Sequence, residues 1–195
     1  MRKILTVVTV IVIIAFIYAM PDKQGLRPWT YPHLPYPVAK KKVLVTPAGQ
    51  SSDGLIVAGM MRELNVSHAY RNTARGEDVT QWYESVVLVL GHSDTGLRKA
   101  ELTSEEEMER IQGLISATQL KAGAVVLIHL GGQNRRGVKD DALIRRFAPQ
   151  ANYILVADDA NNDNIFGRIA DKKGIPITLT RDIGSIKAPL NSAFR

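Results

Sequence analysis

The chain contains no cysteine. That excludes a disulfide framework, a thiolate nucleophile, a thiolate metal site and a lipid anchor through sulfur. The folded part must therefore be held by its core alone. A charge surplus is also missing from most of the chain. Residues 1–42 carry seven basic residues against Asp22 alone, which accounts for the whole net charge of +6. Residues 43–195 carry 18 residues of each sign. A nucleic-acid-binding domain needs a basic face, and none is implied here. No internal repeat is visible, and no complete catalytic constellation can be assembled.

One stretch lacks charge altogether. Ile4 to Met20 is apolar apart from Thr6, Thr9 and Tyr18, and follows Arg2 and Lys3. A helix of that length reaches most of the way across a bilayer at about 1.5 Å per residue. Residues 1–20 are expected to be a signal-anchor, a single transmembrane helix in the bacterial cytoplasmic membrane. The competing reading is a cleaved secretory signal, with a poor cleavage match after Ala19. The basic start favours a cytoplasmic N-terminus and an extracytoplasmic domain, secreted if the segment is removed. Residues 21–41 hold five of the nine prolines and read as an extended linker, with a reach of about 60 Å at 3.1 Å per residue.

Residues 42–195 read as one α/β domain. Val43–Thr46, Ser85–Leu90, Ala124–Leu130 and Tyr153–Ala157 are short continuous apolar runs, the signature of strands buried on both faces. Ser67–Tyr70 is a weaker strand. Pro176–Thr180 suits an edge, where a missing N–H does no harm. Helical patterns alternate with the strands. Ile56, Met60 and Leu64 mark one apolar face, a short helical piece carries Trp82 and Tyr83, and Met108, Ile111, Ile115 and Leu120 mark another face. Thr103 three residues before Glu106 is a capping-box signature. Further helices are expected at Asp141–Phe147 and around Ile165–Ala170. The expected fold is a three-layer α/β/α sandwich with a mainly parallel sheet of five or six strands, Rossmann-like or flavodoxin-like, with strand order 2-1-3-4-5.

Open sheets of this kind bind ligands at the carboxyl ends of their strands. Four polar, glycine-containing loops fall there. In the first, Gln50, Ser51 and Ser52 lead into a helix, where hydroxyls and N–H groups could hold an anion; the competing and favoured reading is that Ser51 or Ser52 merely caps the helix. The second holds Gly91, His92 and Ser93. In the third, Gly131 and Gly132 permit close backbone approach, and Arg135 and Arg136 offer bidentate contacts to a carboxylate or phosphate, or else pair with Asp140 and Asp141. The fourth contains Asp158.

His92 and His129 with Asp94, Asp158 and Asp159 match no trusted metal spacing, so no metal is expected. Gly91 to Gly96 has P-loop spacing, but Leu97 and Arg98 replace the required Lys and Ser/Thr. The Ser93 turn lacks the second glycine of a nucleophile elbow, with no helix expected directly after it. Pro47–Asp53 meets a flavin phosphate loop only loosely, and no cofactor is expected.

The run Val45–Asp53, the Gly91-His-Ser93 turn, the Glu-rich capped helix and His129-Leu-Gly-Gly-Gln-Asn-Arg-Arg-Gly137 together resemble an uncharacterised group of bacterial exported proteins, domain of unknown function 6305. The resemblance covers nearly all of residues 42–190. It implies a Rossmann-like domain outside the cytoplasm and carries over no catalytic residue. The leading functional expectation is a membrane-anchored domain that binds a small anionic metabolite, as an accessory to transport or sensing. The alternatives are an interaction module for a protein partner in a membrane complex, and a hydrolase using Ser51 or Ser93 with His92 or His129.

Overall fold

A computed structural model describes residues 34, 36–80, 82–132 and 135–194. The expected membrane segment and most of the linker lie outside the described residues. Among the described residues no helix is long and apolar enough to cross a membrane.

Six strands form one sheet: β1 (Val43–Ala48), β2 (His68–Tyr70), β3 (Ser85–Leu90), β4 (Ala124–His129), β5 (Tyr153–Ala157) and β6 (Ile177–Thr180). Their spatial order is β2-β1-β3-β4-β5-β6, and every pairing is parallel. This is the expected 2-1-3-4-5 order with a sixth strand added at the edge. Pro47 lies inside β1, an internal strand. It is tolerated because β2 pairs only with Val43, Leu44 and Val45. Beyond that point β1 has a neighbour on one side only, so no ladder bond is forfeited on the other.

The helices are α1 (Asp53–Glu63), α2 (Asp94–Lys99), α3 (Ser104–Leu120), α4 (Val138–Phe147), α5 (Ile165–Lys173) and α6 (Lys187–Ser192). They cover both faces of the sheet. On one face, Ile111, Leu114 and Ile115 of α3, Ile144 and Phe147 of α4, and Phe166 of α5 pack on Leu44, Leu88 and Leu127. On the other, Val57, Met60 and Met61 of α1 and Leu190 of α6 pack on Val45, Val87 and Val126. Burying each such side chain contributes about 1.5–3 kcal/mol. The chain before β1 lies on this second face: the Leu34 N–H donates to Ser192 Oγ at 3.0 Å.

Thr103 caps α3 as expected. Its hydroxyl accepts from the Glu106 N–H at 3.1 Å, and the Glu106 carboxylate accepts from the Thr103 N–H at 2.8 Å. Such a cap is worth about 1 kcal/mol. Three expectations need correction. In α1 Met60 is buried as expected, together with Val57, Ala58 and Met61, whereas Ile56 is 44% exposed. In α3 Ile111 and Ile115 are buried as expected, whereas Leu120 is 88% exposed, and Glu107, Arg110 and Thr118 also face inward. No helix forms at Trp82 and Tyr83. The Trp82 N–H turns back to Thr80 Oγ1 at 3.3 Å, a local bond that competes with helix.

The inward charges of α3 form a buried pair that ties the sheet to its loops. Arg110 Nε and Nη2 donate to the two Glu107 carboxylate oxygens, each at 2.8 Å. The guanidinium also donates to the Pro47 and Ala74 carbonyls at 2.6 Å. Glu107 accepts from the Gly49 N–H at 2.8 Å and from Gln50 Nε2 at 3.2 Å. Gln50 in turn exchanges bonds with Asn72, accepting from Asn72 Nδ2 at 2.7 Å and donating to the Asn72 carbonyl at 3.1 Å. Removing one member leaves the other buried and uncompensated. Arg110→Ala is therefore expected to lower unfolding stability by about 3–5 kcal/mol in urea titrations. Glu109→Ala, on the exposed face of the same helix, should change it by less than about 0.5 kcal/mol. Equal losses for the two variants would contradict this account.

Candidate functional site

The carboxyl ends of the strands form one rim, and its two halves differ. At the β1/β3 end, where the strand order switches, the loops are bonded to each other. The Gly91 N–H donates to the Ala48 carbonyl, the Ser51 N–H to the Gly91 carbonyl and the Ser93 N–H to the Gly49 carbonyl, at 2.8–3.1 Å. Gln50 and His92 add an antiparallel bridge. Gly96 packs so closely on this turn that a Cβ there would overlap the Gln50 carbonyl oxygen. Among the described residues, these backbone bonds cross the place where many related architectures hold ligands.

The predicted residues of this half hold structure. Ser52 precedes α1 but makes no side-chain cap bond; Ser51 Oγ accepts from the Asp53 N–H at 3.4 Å instead. Ser93 caps α2, an unexpected six-residue helix, accepting from the Gly96 N–H at 3.0 Å. Among the described residues neither hydroxyl is hydrogen-bonded to a histidine. His92 Nε2 contacts Asp94 Oδ1 at 3.0 Å, and its backbone N–H donates to Asp140 at 2.7 Å. Hydrogen bonds from Lys139 and then His92 hold the Asp94 carboxyl down at about 2.

Gly131 and Gly132 take φ of +86° and +92°, a conformation that costs residues with a Cβ. The two arginines further along the loop point apart. Arg135 reaches across the end of β3 to Asp53, 2.9 Å away. Arg136 turns towards the fifth strand's loop, contacting Asp141 at 2.8 Å and Asp163 at 2.9 Å and donating to the Ala160 carbonyl. Those carboxylates raise the Arg136 pKa further above its ordinary value. Asp53 is buried, which pushes its carboxyl up, while Arg135 and the Ser51 hydroxyl oppose that shift. His129 is satisfied at both ring nitrogens. Nδ1 accepts from the Gly131 N–H at 3.1 Å, which assigns the proton to Nε2, facing the Arg135 carbonyl at 3.2 Å. Among the described residues no group of three His, Asp or Glu side chains is placed to hold a metal ion.

At the β4–β6 end the rim is open. A groove of about 450 Å³ is lined by Gly131, Gly132, Asp159, Arg181, Asp182 and Ile183, with Leu130 and Ala157 among its apolar walls. Asp158, directly after β5, is half-buried and does not line the groove. The Gly132 N–H donates to Asp159 Oδ2 at 2.9 Å. Among the described residues Arg181 makes no ion pair. Asp53, Arg181 and Asp182 were not among the sequence candidates. The signal for the last two was present: Thr180-Arg-Asp182 directly follows an apolar strand, as the other four loops do.

Residues 40–194 match the family described as domain of unknown function, DUF6305. The chain belongs to this family. No curated protein matches the sequence. Among solved structures, a mutant of the esterase AlinE4 is similar over 71% of this chain and 75% of its own, at 10% identity and a TM-score of 0.30, a likeness too slight to bear on activity. Membership in DUF6305 assigns no chemistry to the Gly-Gly-to-Arg-Arg loop.

The His129 environment has a pH consequence. Burial holds its pKa at about 4, below the ordinary 6.5. The unfolded chain therefore binds the proton first. Stability is complete above about pH 6.5 and is lost as pH falls towards 4. The loss by pH 4 should be about 3 kcal/mol, because each pH unit between the unfolded and folded pKa values costs about 1.36 kcal/mol. Unfolding titrations from pH 7 to 4 should show His129→Gln losing about that much less than the unsubstituted protein; parallel profiles would contradict the assignment.

Proposed function

We propose that this protein is a membrane-tethered domain that binds a small ligand bearing an anionic group, outside the cytoplasm, as an accessory to transport or sensing. Residues 4–20 supply the tether and the linker supplies reach. The ligand sits in the groove at the β4–β6 end, over Gly131 and Gly132, and Arg181 holds its anionic group. The observation that carries this reading is the division of the rim. The loops after β1, β3 and β4 are latched together around Asp53–Arg135 and His92–Asp140. The groove beside them is open and contains a guanidinium with no ion-pair partner among the described residues. Arg135 and Arg136, each already on a carboxylate, brace the site rather than touch the ligand.

Thermal unfolding against a panel of small carboxylates and phosphates tests the binding. A ligand at a hundred times its dissociation constant adds about 2.7 kcal/mol, a shift of about 5–10 °C for a chain of this size. Arg181→Ala should abolish the shift without changing the unliganded midpoint. A panel that stays flat for every carboxylate, amino acids included, and for every phosphate, or a shift unaffected by Arg181→Ala, would reject the site. Placement is tested separately by an alkaline phosphatase fusion after Arg195, expected to be active in intact bacterial cells. An inactive fusion would put the domain in the cytoplasm.

A further inference from the structure

The groove does not present a purely cationic face. Arg181 shares its lining with two carboxylates, Asp159 and Asp182, so the formal charge of these three groups is −1. Both carboxylates are anchored through one oxygen. Asp159 Oδ2 accepts from the Gly132 N–H, and Asp182 Oδ1 accepts from the Ser185 N–H and hydroxyl at 2.8 and 2.9 Å. Those bonds fix where the carboxylates sit and leave acceptor capacity over. The rest of the lining includes the apolar side chains of Leu130, Ala157 and Ile183, and Ile183 is 42% exposed.

A simple anion would gain one guanidinium and face two negative groups. A simple cation would meet the reverse arrangement. Both poles are answered at once by a molecule with a carboxylate for Arg181, an ammonium for the spare acceptor capacity of Asp159 and Asp182, and an apolar body for the remaining wall. We infer that the groove is built for a zwitterionic ligand of amino-acid type with an apolar side chain. This rests on the reading of the groove as a binding site and names the class of ligand it takes. Charge-assisted hydrogen bonds at both poles would give the site its selectivity, because an analogue lacking one pole leaves a charged group of the groove facing nothing.

Three probes of matched shape separate the possibilities. L-leucine carries both poles, 4-methylpentanoate lacks the ammonium, and 3-methylbutylamine lacks the carboxylate. Calorimetric titration of the full-length protein in detergent is expected to show L-leucine binding at least tenfold more tightly than either analogue. Arg181→Ala and Asp159→Asn should each weaken L-leucine tenfold or more. Asp159→Asn retains an acceptor for the Gly132 N–H and so preserves the turn, and it should leave 4-methylpentanoate unchanged or tighten it. If 4-methylpentanoate binds as tightly as L-leucine and depends on Arg181, the zwitterion inference is overturned while the anion-binding groove stands. If the amine binds best, or if Asp159→Asn has no effect on L-leucine, the inference is likewise overturned. If none of the three binds and no carboxylate or phosphate shifts the melting temperature, the groove reading fails and the inference fails with it.

Discussion

The buried Glu107–Arg110 pair is the constraint on which the rim depends. A charge taken out of water is tolerated only where its hydrogen-bonding capacity is met. Here Arg110 meets it with two carboxylate oxygens and the carbonyls of Pro47 and Ala74. Glu107 meets it with the Gly49 N–H and the Gln50 amide. The pair lies in α3, yet its partners lie at or just past the ends of β1 and β2. It therefore fixes the end of the first strand, where Gln50 holds a left-handed φ of 62° that needs such support to persist. The backbone N–H of Gly49, which in a phosphate-binding loop would face a ligand, faces an anion that the chain itself supplies.

Once that end is fixed, the neighbouring loops have little freedom. The backbone bonds between Ala48, Gly91, Ser51 and Ser93 close the switch point. Arg135 then spans from the fourth strand's loop to Asp53 on the first helix, across the end of β3. Three loops thus behave as one latched unit. A second unit begins at Gly132, whose N–H is held by Asp159, and runs through Arg136 to Asp163. The open groove lies on the sixth strand's side of that second unit. Its walls are anchored by turns that satisfy their own backbone groups, which suits a site whose shape is set before a ligand arrives.

The sheet was legible because four of its strands are continuous apolar runs, and a parallel sheet buried on both faces has no other way to write them. The start of α3 was legible because Thr103 and Glu106 sit at the one spacing that lets both caps form. The phase of α1 was legible only in part. Leu55-Ile-Val-Ala58 and Met60-Met61 are apolar throughout, so only Arg62 and Glu63 at its end mark the outer face, and the packing of Val57 and Met61 on the sheet decides it. Glu107 and Arg110 were hidden for the opposite reason. In a helix rich in glutamate they read as solvated surface, and only the fold brings Pro47, Gly49 and Ala74 to them. The readings of residues 1–20 and of most of the linker lie outside the described residues.

The adjacent arginines show why a loop's composition is a poor guide to its direction. Arg135 and Arg136 read either as contacts for an anion or as partners of Asp140 and Asp141. In the structure the two side chains diverge. Each then finds a nearby buried or half-buried carboxylate, Asp53 on one side and Asp141 with Asp163 on the other. Asp141 was among the partners read from the sequence, whereas Asp53 and Asp163 are distant in sequence and only the fold brings them to the loop. Arg181, placed after the last strand, makes no ion pair among the described residues. In a sheet whose first three loops are bonded to one another, the rim stays open only on the side of the last strands.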